Sequence, residues 1–194
     1  IYSRGSTGGL EASSCFGCGL SNRFASLVHA SPVIPAQLGF KADGLPGSPY
    51  PSTINVSGPA VISGLRLSLL DVTKATSNDL TVMLVDPSGT RNLIFMANTG
   101  GANPLDHATI TFEDVAPSFL PFGTPIVEGQ NYKPTDCLGD SLFPSPAPPA
   151  PHNQAGCSSP AGTFASAFGG INPNGAWSLY VIDELGADLR VAAP

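Results

Sequence analysis

The sequence is short of charge. Only 11% of its 194 residues are Asp, Glu, Lys or Arg, against roughly a quarter in an average soluble domain. Eight are cationic and the formal net charge is −6, a poor match for a phosphate backbone, so nucleic acid is excluded as the expected partner. No run reaches the ~18 apolar residues of a membrane-spanning helix. The start, Ile1-Tyr2-Ser3-Arg4-Gly5, holds neither a Met nor the apolar core of a signal peptide, and the chain is expected to be a processed or excised product. Helical periodicity is also missing: no segment sustains apolar residues at i, i+3, i+4 and i+7, which predicts little helix.

Catalytic signatures are equally scarce. The three histidines, His29, His107 and His152, stand in unrelated contexts and form no HExxH or paired ligand spacing. Among the many serines there is no Gly-x-Ser-x-Gly elbow to expose a nucleophile on a strained turn. The expectation is a protein with no catalysis of its own.

What the chain has is turn formers and short apolar runs. Gly (22) and Pro (20) together make up about a fifth of it, far above average usage. An apolar content of 42% and a mean hydropathy of +0.14 are too high for wholesale disorder. Residues 1–37 are Gly-, Ser- and Ala-rich, show no sustained period, and are expected to be an N-terminal extension or arm. From Leu38 to the end, apolar runs alternate with turn signals, as an all-β sandwich or barrel requires.

The runs can be placed. Val61–Leu70 reads as a strand with Leu65, Leu67 and Leu69 on the dry side of the pleat and Arg66 and Ser68 on the wet side. Asp79–Val85 sends Leu80, Val82 and Leu84 inward, turns at Asp86-Pro87-Ser88-Gly89, and returns through Arg91–Met96. Ala108–Glu113 alternates again, Gly123–Val127 reads as a short edge piece demoted by Pro125, and Asn172-Pro173-Asn174-Gly175 turns the chain into Trp177–Ile182. Trp177, Leu179 and Val181 are expected in the core.

The four cysteines form two groups, Cys15 with Cys18 and Cys137 with Cys157. Their even number in a chain of this texture points to an oxidising compartment. Four cysteines allow three connectivities, and proximity favours Cys137 with Cys157, closing the Pro-rich loop Leu142–Pro151. Cys15-Phe16-Gly17-Cys18 is read as a structural pair or two cysteines tied elsewhere; as a redox CxxC it lacks a following strand and helix.

Two stretches, Asn78–Arg91 and Asn172–Asp183, together resemble motifs of the P domain (homo B domain) of proprotein convertases, in the order that family has them. The first matches its central hairpin with a Pro-Ser-Gly-Thr turn, the second its strand of alternating Trp, Leu, Val and Asp. The resemblance covers about residues 38–188 and implies a jelly-roll-like antiparallel β-sandwich, found beside secreted subtilisin-like proteases and on bacterial secreted and surface proteins. Family members continue with a further strand containing a Trp. Here only Leu189-Arg190-Val191 offers a stub, so either the chain is truncated or the sandwich is expected to have an open edge of unpaired N–H and C=O groups.

An incomplete sandwich and a loose arm in one chain suggest donor-strand exchange, with Phe24, Leu27 and Val28 of the Phe24–Ala30 segment, and Val33 and Ile34 beyond it, adding to a neighbour in a filament or surface assembly. The expected function is therefore a non-catalytic extracellular subunit that self-associates as a homo-oligomer or polymer. An accessory P domain of a secreted hydrolase, and a Ca²⁺-dependent or carbohydrate-binding module, are the alternatives. For Ca²⁺, Asp183 and Glu184 with Asp79 and Asp86 are the candidate ligands at strand ends, although no EF-hand spacing exists. For carbohydrate, Trp177, Tyr2, Tyr50, Tyr132 and Tyr180 are the stacking candidates. Asn55-Val56-Ser57 is an N-glycosylation acceptor pattern.

Overall fold

Residues 9–15, 24–30, 45–57, 61–159 and 161–184 are described by the structure, a computed structural model. They are mostly β-strand: β1 (Gly9–Cys15), β2 (Phe24–Ala30), β3 (Leu45–Pro46), β4 (Ser52–Val56), β5 (Arg66–Lys74), β6 (Leu80–Val85), β7 (Asn92–Ala97), β8 (Leu105–Glu113), β9 (Ser118–Phe119), β10 (Asn131–Lys133), β11 (Thr135–Asp136) and β12 (Gly175–Asp183). One short helix, α1 (Phe164–Phe168), and a 3₁₀ turn at Ser77–Asp79 are the helical elements among these residues. The all-β expectation holds.

The strands form two mixed sheets. The first runs β2-β1-β5-β8-β10-β9, and the second β11-β7-β6-β12-β3 with β4 also on β12. Both contribute to one apolar core: Leu67 of β5 and Ile110 and Phe112 of β8 meet Leu80, Val82 and Leu84 of β6, Leu93 and Phe95 of β7, and Trp177 and Leu179 of β12. Phe95 stands edge-on to Phe112 across the two sheets, with ring centroids 5.0 Å apart. Phe164 and Phe168 of α1 complete the core from the side. That helix is capped by Thr163, whose side chain accepts from Ser166 N, while the Asp114 carboxylate accepts from Phe164 N and Ala165 N.

The best-read region is the β6–β7 hairpin. Asp86 holds its turn, its Oδ1 accepting from Thr90 N and Arg91 N at 3.0 and 2.9 Å and its Oδ2 from Ser88 Oγ. Gly89 follows at φ +73°, a conformation that disfavours any side chain with a Cβ. Both faces of these strands are dry, because Met83, Val85, Ile94, Ala97 and, on the neighbouring β12, Tyr180 are also buried. They lie beneath Tyr50, Phe143 and Ala147, and near-continuous apolar runs are what strands covered on both faces need.

Three expectations shift. The strand foreseen over Val61–Leu70 runs over Arg66–Lys74, because the Ile62 backbone is taken by another segment: its N–H donates to Ile171 O and its carbonyl accepts from Gly170 N. Gly123–Val127 is no strand; Pro125 has no N–H to give, and the Tyr132 hydroxyl instead bonds Val127 N and Val127 O. Ser68 is buried on the side expected to be wet, its Oγ 2.9 Å from Thr111 Oγ1.

The arm is the largest difference. Phe24–Ala30 pairs antiparallel with Gly9–Cys15 along seven register pairs. The hairpin adds to its own chain's first sheet through Gly9↔Ser68, Leu10↔Leu67 and Glu11↔Arg66, and β2 comes near β4 of the second sheet. Gly-, Ser- and Ala-rich strands give no alternating apolar signal, yet backbone pairing needs none.

Candidate functional site

Strand β5 carries an irregularity that decides what lies between the sheets. Leu65 and Leu67 point into the core, and strict alternation would send Lys74 to the opposite face. The β5–β8 pairing slips between Leu69 and Val72 and again between Val72 and Lys74, with Asp71 at φ +58°. These bulges re-aim the strand's end. Lys74 becomes a fully buried residue, 0% exposed.

Its ammonium meets Asp183, the last residue of β12 on the same face as Trp177 and Leu179. Lys74 Nζ donates to Asp183 Oδ2 at 3.0 Å, with both side chains almost wholly out of solvent. Asp79 adjoins the pair: it precedes Leu80, whose register partner is Asp183, and its carbonyl accepts from Glu184 N at 2.7 Å. Burial raises the Asp79 carboxyl's pKa, Lys74 opposes that rise and Asp183 adds to it.

Of the four proposed calcium ligands, Asp79, Asp183 and Glu184 gather at this end of the fold, while Asp86 caps the turn at the far end of β6. Asp183 is paired with the chain's own Lys74 ammonium, and the Asp79 carboxyl feels the same charge. No cluster of three or more His, Cys, Asp or Glu among the described residues is disposed to hold a metal. Sequence reasoning found the carboxylates and missed Lys74, since a bulge that reverses alternation leaves no mark in the hydrophobic pattern.

Cys137 and Cys157 form a disulfide, Cα atoms 4.7 Å apart. The Pro-rich segment between them is tied down at several points. The hydroxyls of Tyr50 and Tyr180 donate to Pro144 O and Pro146 O, and buried His152 places Nδ1 2.6 Å from Asp140 Oδ1 and Nε2 2.9 Å from Pro148 O. Cys15 closes β1, and Cys18 lies outside the described residues.

The remaining candidates divide similarly. Phe24, Leu27 and Val28 fall in β2, and Val33 and Ile34 lie outside the described residues. Asn55 sits at an exposed position of β4. Three of the stacking candidates serve the interior instead: Trp177, Tyr132 and Tyr180 are buried, and Trp177 Nε1 donates to Pro173 O. Tyr50 is half-buried, edge-on to Tyr180, and Tyr2 lies outside the described residues. An open hollow of about 440 Å³ beside α1 is lined by Arg91, Asn153, Gln154 and Ser166. There Arg91 Nη1 donates to Ala167 O and Asn153 is spent on Asn92. Comparison with protein-family models, curated proteins and solved structures found no match.

Proposed function

We propose that this protein is a non-catalytic extracellular subunit with a jelly-roll-like, P-domain-like β-sandwich fold, and that copies associate by exchanging their β1–β2 hairpins. The observation that carries the proposal is the imbalance in how that hairpin is held. Its two strands pair with each other along seven residues but join the rest of the chain's sheet through three. Residues 31–44 separate β2 from β3 in sequence, a length that spans at most roughly 50 Å. A hairpin so attached makes the same contacts on the β5 edge of a second copy, and reciprocal or head-to-tail exchange follows.

Other features support the extracellular and P-domain-like parts. The disulfide suits an oxidising compartment, and the two motif segments fall on adjacent antiparallel strands, β6 and β12. A single cysteine pair tests the exchange. Glu11 and Arg66 are register partners, and such neighbours lie at distances a disulfide can bridge. Oxidised Glu11→Cys, Arg66→Cys protein is expected to give ladders of linked chains on a non-reducing denaturing gel. Linkage only within single chains would overturn the exchange.

A further inference from the structure

We propose that Lys74 and Asp183 condense to an amide, so that the two sheets are joined by a covalent bond between side chains. The inference rests on the buried cluster alone and stands whether or not copies exchange hairpins. Lys74 ends β5 in the first sheet and Asp183 ends β12 in the second, 109 positions apart in sequence. Nζ lies 3.0 Å from Oδ2, with the carboxyl carbon one bond beyond. Reactants held at such separation, shielded from water, have the arrangement that replaces a bimolecular encounter with a unimolecular step.

The step begins from the ion pair: one proton passing from Nζ to Asp183 Oδ2, 3.0 Å away, gives a neutral amine and a neutral acid. The amine lone pair attacks Cγ and forms the C–N bond. The resulting tetrahedral centre expels one oxygen as water, breaking a C–O bond. Water's second proton comes from nitrogen. Starting from ammonium and carboxylate, the products are one amide and one water, with no oxidant, activating group or cofactor consumed.

Asp79 is the proton relay. It directly precedes Leu80, the register partner of Asp183, and its carboxyl, whose pKa is raised by burial, is the group placed to pass a proton to the departing oxygen and take one from nitrogen. The Glu184 N–H bond to Asp79 O fixes the end of β12 beside it. The bulges in β5 then have a purpose: without their reversal of alternation the lysine would face away from Asp183.

Intact-mass spectrometry of the purified full chain tests this directly. The mass is expected to fall short of the sequence value by one water, about 18 Da, beyond the ~2 Da for each disulfide. A proteolytic digest is expected to contain a branched peptide joining the sequence around Lys74 to that around Asp183. A full-mass chain, or a water deficit without the branched peptide, overturns the proposal. The double variant Lys74→Met, Asp183→Leu removes both charges together, a change that buried ion pairs tolerate, and must show no deficit; a deficit there assigns the lost water elsewhere and overturns it equally. Asp79→Asn, folded by far-ultraviolet dichroism, is expected to keep the full mass and Asp79→Glu to restore the loss, whereas complete condensation in Asp79→Asn overturns the relay.

Discussion

The two sheets share a core but meet the outside differently. In the second, β6 and β7 are buried along their whole length, with apolar core on one face and the disulfide-closed proline loop on the other. In the first, β5 and β8 are covered on the core side, while their other side carries polar partners: Ser68 with Thr111, Arg66 with Glu113 at 3.8 Å, and Asp71 with His107 at 2.6 Å. A segment with almost no regular structure therefore does for the second sheet what a further layer of helices or strands does elsewhere. Prolines, lacking N–H groups, lay backbone over an apolar face with few donors to satisfy.

Substitutions can break or sharpen that contrast. The largest effect is expected at Phe95, wholly buried and packed on Phe112 and Phe164 where the two sheets meet. Phe95→Ala should lower unfolding free energy by about 3–5 kcal/mol in urea titrations, and a loss below ~1 kcal/mol would mean the core is not shared as described. Removing the loop closure with Cys137→Ser and Cys157→Ser should lose about 3 kcal/mol. Hydrogen exchange in the double variant should rise in β6 and β7 ahead of β5 and β8. Equal acceleration in both sheets would contradict the loop's role as a cover for one of them.

On the first sheet the same kinds of experiment should show less. Ser68→Ala leaves Thr111 without this hydroxyl partner and should shift the urea midpoint by the equivalent of about 1 kcal/mol. The smallest effect is expected at His107, whose pKa is raised above the usual imidazole value by its hydrogen bond to Asp71 and by the Asp71 charge. A histidine raised in the folded state contributes stability that is fully present below its unfolded pKa and is lost as pH rises through the folded value. Melting temperatures should therefore show a slight decline above about pH 6.5. His107→Asn, which tolerates the positive φ of this position, should abolish that decline; an unchanged profile would place it on another group.

The same contrast separates what was legible in the sequence from what was not. The β6–β7 hairpin, its Asp86–Gly89 turn, β8 and β12 announce themselves because alternating or continuous apolar residues are bounded by turn formers. Little helix and the Cys137–Cys157 pairing were also readable. The β1–β2 hairpin was not, since its pairing lies in backbone hydrogen bonds between residues of weak pattern. Nor was the burial of Met83, Val85 and Tyr180, which depends on a loop arriving from residues 143–147. Lys74 was hidden most deeply: two slips of register turn a position that alternation sends outward into the centre of the candidate site.

The functional account depends on copies of the chain holding one another through their N-terminal hairpins. Light scattering coupled to size exclusion, run over a range of concentrations, measures this most directly. The account predicts species at multiples of the 19.8 kDa chain, growing with concentration. A single 19.8 kDa species at every concentration would contradict it.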